Sequence, residues 1–230
     1  MGRTAIVTGG TGGLGSAVTR GFLDDGWRVV VPWLAEREAD RLEQHDGLEL
    51  VQADLFDEAS VAEVVARAAG DADHPLAAAV NLVGGFAEGG RVHETPIADF
   101  EAQFRLNLRP TYLVSAAVVP HLLERGGGAI VCVSTRAAVR PFPGAAGYVT
   151  SKAAVLAFVD ALSAEYRHDG IRANAILPSI IDTPGNRAAN PNGTFENWVK
   201  PEQIAGVIRF LCSDASSPTS GAHIPVYGKA

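Results

Sequence analysis

Residues 4–26 read TAIVTGGTGGLGSAVTRGFLDDG, and the order of the parts in this stretch decides the fold. "TAIVT" (4–8) is a short apolar, β-branched run that reads as a strand. From Leu14 onward apolar side chains recur at 14, 18, 22 and 23, a helical stripe that stops at Gly26. The glycine-rich turn between them leaves a strand and opens a helix. Such a turn offers backbone N–H groups at the positive end of a helix, with no side chains in the way, and suits a pyrophosphate. Gly9 permits the tight turn, Gly13 lets a phosphate approach the backbone, and Gly15 lets helix pack on strand. A mononucleotide phosphate loop needs Gly-Lys-Ser/Thr, whereas this turn ends Gly-Leu-Gly-Ser.

The same rhythm runs down the chain. Strands are predicted at 27–33, 48–54, 76–85, 127–134, 171–177 and 221–228, and helices at 35–45, 58–69, 97–123, 147–167 and 201–213. The strands lack clean alternation of apolar and polar residues, as expected when both faces are covered. The fold class that follows is α/β: one Rossmann-type domain over 1–230, a doubly wound parallel sheet of about seven strands flanked by helices. Ligands of such sheets bind at the carboxyl ends of the strands. The segment 183–200, TPGNRAANPNGTFENWVK, breaks the rhythm and reads as a substrate loop.

Of the 230 residues, 47% are apolar, enough for a sizeable core. The net charge of −7 argues against a nucleic-acid surface, which needs a basic patch. No apolar run reaches the length of about eighteen residues that a membrane span requires. "MGRTAIVTGG" enters the first strand without an apolar leader, so a cytoplasmic protein is expected. Cys132 and Cys212 sit in "AIVCVS" and "VIRFLC" and read as buried, reduced thiols. The six histidines show no metal-ligand spacing, so no metal is expected.

One further stretch carries chemistry: STRAAVRPFPGAAGYVTSK, 134–152. Tyr148 and Lys152 are four residues apart and share one helix face. Such a pair is often a solvated face. It is also the pattern of a phenol whose pKa, ordinarily about 10, is lowered by a nearby ammonium. A phenol tuned in this way can give a proton to a carbonyl oxygen or take one from an alcohol.

With Thr8-Gly9-x-x-x-Gly13-x-Gly15 the chain resembles the short-chain dehydrogenase/reductase family, over essentially its whole length. The resemblance implies an NAD(P)(H)-dependent oxidoreductase acting on a carbonyl or alcohol, with Tyr148 as general acid/base and Lys152 beside it. It implies cofactor contacts from Gly9, Thr11, Gly12, Gly13, Leu14 and Gly15, and from Tyr148 and Lys152 themselves. "AD" at 53–54 is similar to the family's aspartate after the third strand, so Asp54 and Leu55 would meet the adenine. As a plain sequence feature Asp54 is equally a turn cap. "VNLVGG" (80–85) is similar to the family's Asn-Asn-Ala-Gly element, placing Asn81, Val83 and Gly84 at the cofactor, although Leu82 and Val83 depart from it. Asn81 is equally a tie between strands.

The family's catalytic hydroxyl lies thirteen positions before the tyrosine, which gives Thr135 where serine is usual; Ser134 is the alternative if the loop shifts by one. Asn107, in "FRLNLRPTYL", matches the asparagine whose backbone holds a water linking lysine to solvent. Pro110 removes an N–H and crowds the carbonyl of Leu106, so a kink is expected beside Asn107. "LPSIIDT" (177–183) is similar to the family's Pro-Gly-x-x-x-Thr segment, with Ile181 backbone and Thr183 on the nicotinamide carboxamide.

At the end of the second strand, where an acid binds the ribose 2′-OH and a base the 2′-phosphate, stand Trp33 and Leu34. The lack of an acid, with Arg37 nearby, leans to NADP. "VGGFAEGG" (83–90) and "LPSIIDTPGNR" (177–187) resemble stretches of dihydropteridine reductase, a family member with a quinonoid pterin substrate. Phe86, Phe142, Phe195 and Trp198 are candidates for an apolar pocket. By family, a homotetramer or dimer is expected. The competing reading is a non-catalytic dinucleotide sensor on the same fold.

Overall fold

The computed structural model describes residues 2–229. Seven strands form one sheet: β1 (Thr4–Thr8), β2 (Arg28–Trp33), β3 (Leu48–Gln52), β4 (Leu76–Asn81), β5 (Gly128–Val133), β6 (Ile171–Pro178) and β7 (His223–Val226). Their order is β3-β2-β1-β4-β5-β6-β7, and every neighbouring pair is parallel. The chain winds outward from β1 to β3, then returns to the other side of β1 as β4. The direction of winding reverses between β1 and β4, which opens a crevice at their carboxyl ends.

Strand alternation divides the core between the two faces. Ile6, Val30, Ala79 and Ile130 point into one layer, filled by α3 (Glu58–Ala69), α5 (Arg109–Arg125) and α6 (Ala146–Tyr166). Their sequence neighbours Ala5, Val7, Val29, Val31, Val80 and Val131 point into the other, filled by α1 (Gly15–Asp24) and α8 (Pro201–Cys212). Burial on both faces explains why the strands read as continuous apolar runs.

Three expectations change. The helix predicted over 35–45 shrinks to α2 (Glu36–Ala39). That stretch is charged all round and has no apolar stripe to bury against the sheet, so little holds a longer helix. The long helix predicted over 97–123 is two, α4 (Ile97–Asn107) and α5, meeting at Leu108. Pro110 lies in the first turn of α5, where its missing N–H costs nothing, and the break falls beside Asn107. The strand predicted over 76–85 ends at Asn81, and residues 82–89 run free of the sheet. The 183–200 segment contains a short helix, α7 (Pro184–Ala189).

Cys132 and Cys212 are free and buried, and burial pushes both thiols up to about 12. No helix among the described residues is long and apolar enough to cross a membrane. Among them no cluster of His, Cys, Asp and Glu has the makings of a metal site.

Candidate functional site

The glycine turn sits at the crevice. Gly9 takes a left-handed φ of +66°, which a side chain would strain. A Cβ on Gly15 would lie 2.0 Å from the Gly9 carbonyl oxygen, so only glycine lets α1 start this close to β1. A Cβ on Gly13 would lie 2.8 Å from Thr183 Cγ2, which places Thr183 directly over the turn. No side chain caps the N-terminus of α1 and no acid stands in its first turn. Among the described residues the N–H groups of Gly13 and Leu14 find no internal acceptor. An uncapped helix start lined by glycine fits the pyrophosphate of a dinucleotide. Thr11 is buried within this turn.

The loop after β4 forms the next wall. Thr8 Oγ1 accepts the N–H of Leu82 at 3.0 Å and of Val83 at 3.4 Å, holding the loop against the turn. Gly9 faces the Val83 backbone. At Gly84 a Cβ would lie 2.7 Å from Asn107 Oδ1 and 2.8 Å from Lys152 Nζ. The glycine turn, the 82–85 loop, Asn107 and Lys152 are thus contiguous.

Lys152 is only 6% exposed, and its ammonium donates to the Val133 carbonyl at 3.0 Å. Burial pushes its pKa down to about 8. Asn107 is fully buried. Its amide donates to Ser151 Oγ at 3.1 Å, and its Oδ1 accepts the Gly85 N–H at 2.9 Å. Its carbonyl, at the break between α4 and α5, accepts the Thr111 hydroxyl at 3.3 Å.

Ser134 and Thr135 part company at the end of β5. Ser134 is buried and donates its hydroxyl to the Lys152 carbonyl at 2.7 Å, so it braces α6 and faces away from the cleft. Thr135 Oγ1 accepts the Ala137 N–H at 3.3 Å; the Thr135 hydroxyl draws the Tyr148 phenol's pKa down, but desolvation outweighs it and the net shift is upward. Lys152 is not among the groups that lower the phenol's pKa in this arrangement. The ammonium faces Val133, and desolvation of the phenol dominates. Phe86 packs edge-on against Tyr148 with ring centroids 5.0 Å apart, and Phe142 packs on Phe86 at 6.2 Å. Phe195 instead packs on Trp198 at 4.8 Å.

A family model described as enoyl-(acyl carrier protein) reductase matches residues 9–228. The chain is 32% identical over 246 residues to 2-(R)-hydroxypropyl-CoM dehydrogenase of Xanthobacter autotrophicus, covering 99% of this chain and 98% of that one. It superposes on a solved short chain dehydrogenase/reductase family protein with a TM-score of 0.87 at 31% identity, covering 99% and 96% of the two chains. The chain belongs to the short-chain dehydrogenase/reductase family. It is thus an oxidoreductase. A 3-ketoacyl-(acyl-carrier-protein) reductase from Brucella melitensis, solved with NADH, superposes with a TM-score of 0.88 at 28% identity, covering 99% and 97%.

Within this short-chain dehydrogenase/reductase several of the expected residues also make internal hydrogen bonds. The Asn81 amide donates to Ser115 Oγ at 3.1 Å and to Cys132 Sγ at 3.7 Å, so Asn81 ties β4 to α5 and β5 beneath the cleft. Asp54 Oδ1 accepts the Phe56 N–H at 2.9 Å, the turn-cap role, and the Leu55 side chain is buried while its N–H has no acceptor among the described residues. The Trp33 indole N–H is buried without a hydrogen-bond acceptor. The Ile181 carbonyl accepts the Thr183 N–H at 2.9 Å and the Asn186 amide at 2.8 Å. Thr183 Oγ1 accepts the Asn186 N–H at 3.2 Å. Two supporting groups went unseen in the sequence: Ser151 under Asn107 and the Val133 carbonyl on Lys152. Ser151, beside Lys152 in "TSK", was the one with a visible signal.

Proposed function

We propose that this oxidoreductase is NAD(P)(H)-dependent and passes hydride between nicotinamide and a carbonyl or alcohol carbon, with Tyr148 carrying the proton. One observation carries the reading: Tyr148, its ring held edge-on by Phe86, stands one helical turn from a buried lysine whose ammonium borders the glycine-lined crevice at Gly84. The hydroxypropyl and ketoacyl groups in the relatives' names are in keeping with such a substrate, and the NADH in the Brucella structure with such a cofactor.

Gly13, Leu14 and Thr183 would hold the dinucleotide, which when bound supplies or receives the hydride. Tyr148, protonated at neutral pH as an ordinary phenol is and more firmly so for its desolvation, gives its proton to the carbonyl oxygen; in oxidation it takes the proton back. Thr135 orients the reacting oxygen by a hydrogen bond. Lys152 holds positive charge beside the site, and the Asn107 carbonyl keeps capacity for a water that would relay protons to it. Phe86 and Phe142 form an apolar wall beside Tyr148, and the 183–200 segment, whose Thr183 lies over Gly13, serves as the substrate loop of a one-domain protein.

The test is a panel of ketones, 3-oxoacyl thioesters and secondary alcohols read at the reduced-nicotinamide absorbance. Thr135→Ala is expected to lower kcat by about a hundredfold to a thousandfold, as loss of one oriented hydrogen-bond donor does. Ser134→Ala is expected to lower stability by about 1 kcal/mol with a smaller effect on kcat. The reverse pattern would move the substrate contact to Ser134. Dinucleotide binding without turnover on any substrate would favour a sensor.

The outer face of α4, α5 and α6 carries Phe104, Leu108, Tyr112 and Phe158 around a shallow groove, with Tyr112 55% exposed. This face suits a second copy of the chain, so the protein is proposed to work as a homodimer or tetramer. A monomer by light scattering at micromolar concentration would refute it. The two buried free thiols suit a reducing, cytoplasmic compartment.

A further inference from the structure

The loop after β6 is closed on itself by its own side chains. Its two ends meet at the Ile181–Val199 bridge, where Asp182 donates its N–H to the Val199 carbonyl at 2.8 Å and Val199 donates to that of Ile180 at 3.0 Å. Between these ends the chain runs through α7 and returns to Trp198, which is buried. Across the loop the Arg187 guanidinium holds the Asp182 carboxylate with both prongs, Nε to Oδ1 at 2.5 Å and Nη2 to Oδ2 at 2.8 Å. The same guanidinium lies over the Phe195 ring, 4.7 Å from its centroid, and Phe195 meets Trp198 edge-on. A Cβ on Gly193 would lie 2.6 Å from Trp198 Cζ2, so glycine lets the returning chain cross that ring.

An exposed ion pair ordinarily contributes little, because water screens it and two flexible side chains must be held in place. This pair differs: it is bidentate, the Asp182 side chain is only 14% exposed, and the guanidinium is stacked as well as paired. The Arg187 bond holds the Asp182 carboxyl below its ordinary range, so both partners are charged at neutral pH. What the pair holds matters more than its own strength. Asp182 is followed by Thr183, whose methyl lies over Gly13 and whose hydroxyl oxygen caps α7 by accepting the Asn186 N–H. The Asn186 amide in turn donates to the Ile181 carbonyl at 2.8 Å. The ion pair thus ties together the chain on either side of the residue that covers the glycine turn.

We propose that Arg187 is a positioning residue for the dinucleotide, an inference that rests on reading the crevice as a dinucleotide site. With Asp182 it latches the loop in its closed form before the dinucleotide arrives, and it acts through Thr183. A loop ordered in advance adds no ordering cost at binding. Without the latch only the closed fraction of molecules is competent, and apparent affinity falls by that fraction. Release follows the same logic in reverse. A dinucleotide under Thr183 leaves when the loop lifts, and lifting breaks two charged hydrogen bonds and a stack. The hydride step, taken in a molecule already closed, does not depend on the latch.

Arg187→Ala, Asp182→Asn and the double variant test it in the full chain. Each single variant is expected to weaken binding of NADH or NADPH, whichever wild type binds, by about threefold to tenfold, and to speed its dissociation by a similar factor. The double variant is expected to lose no more than Arg187→Ala alone, since the latch needs both members. Hydride transfer in a single turnover at saturating dinucleotide is expected to stay within about twofold of wild type, so the effect falls on KM and not on the chemical step. Limited digestion with chymotrypsin reads the loop directly. Cleavage after Phe195 is expected to be slow in wild type and at least about threefold faster in the variants. Unchanged affinity and dissociation overturn the inference even where cleavage quickens, because the pair then serves the loop alone. Losses that add in the double variant overturn it as well. If wild type binds neither NADH nor NADPH, the dinucleotide reading falls with it, so the two failures are distinguishable.

Discussion

Tyr148→Phe is expected to lower turnover by about three to four orders of magnitude while dinucleotide affinity stays within about threefold. The substitution removes one oxygen and little else. The ring remains to pack edge-on against Phe86, so the aromatic wall and α6 keep their places. What is lost is the group that moves the proton. Without it, the alkoxide forming from a carbonyl has Thr135 as a hydrogen-bond donor but no acid. General acid catalysis of this kind contributes about a hundredfold to ten-thousandfold, and the upper part applies where the site excludes water. Tyr148 is half-buried, with Phe86 covering one side of its ring, and desolvation raises its pKa, which points to that upper part. Stopped-flow or steady-state rates on any substrate the panel identifies, with dinucleotide affinity measured beside them, check both halves. Near wild-type turnover in the variant would remove Tyr148 from the chemistry. A large loss of affinity would mean that the phenol serves binding instead.

The parts of this site that were legible in the sequence are those where local geometry alone imposes the residue. Gly9, Gly13 and Gly15 are readable because a backbone turn under a helix start has no room for Cβ atoms, whatever surrounds it. Tyr148 and Lys152 are readable because four residues make one helical turn. Pro110 marks the break at Asn107 for an equally local reason. The remainder depends on tertiary placement. Whether Ser134 or Thr135 faces the cleft is decided by where β5 releases the chain relative to α6, and no residue type signals that. Asn81 could face either the cofactor or the strands, and that its amide meets Ser115 and Cys132 depends on α5 and β5, far away in sequence. The pKa values of Tyr148 and Lys152 are set by burial. The i,i+4 spacing that suggested an acidified phenol carries no information about desolvation.

Lys152→Met is expected to abolish turnover and, at pH 7, to make the cofactor-free protein more stable. Burial lowers the Lys152 pKa from 10.5 to about 8, a gap worth roughly 3 kcal/mol at 1.36 kcal/mol per pH unit. At neutral pH the folded protein thus holds a charge it would rather bury neutral. The Val133 carbonyl offsets only part of that cost. Methionine has a similar length and no charge to desolvate. Its loss of the hydrogen bond to Val133 costs about 1 kcal/mol, leaving a net gain of about 1–3 kcal/mol. In a chain of 230 residues that raises Tm by roughly 2–10 °C. The pH dependence gives the sharper test. Between about 8 and 10.5 the unfolded chain keeps the lysine proton that the folded chain has released, so wild-type stability rises with pH across that window. The gain from Lys152→Met is therefore full below pH 8 and shrinks towards pH 10.5. Urea unfolding of both proteins at pH 7 and pH 10 measures it. A variant less stable than wild type at pH 7, or a difference that does not change with pH, would show that the ammonium sits in its pocket without strain. The reaction would then have to explain a buried lysine that costs nothing to keep. If the gain is seen, the fold is carrying a charge at the expense of its own stability, which is what a site built to hold a cation beside the reacting oxygen requires.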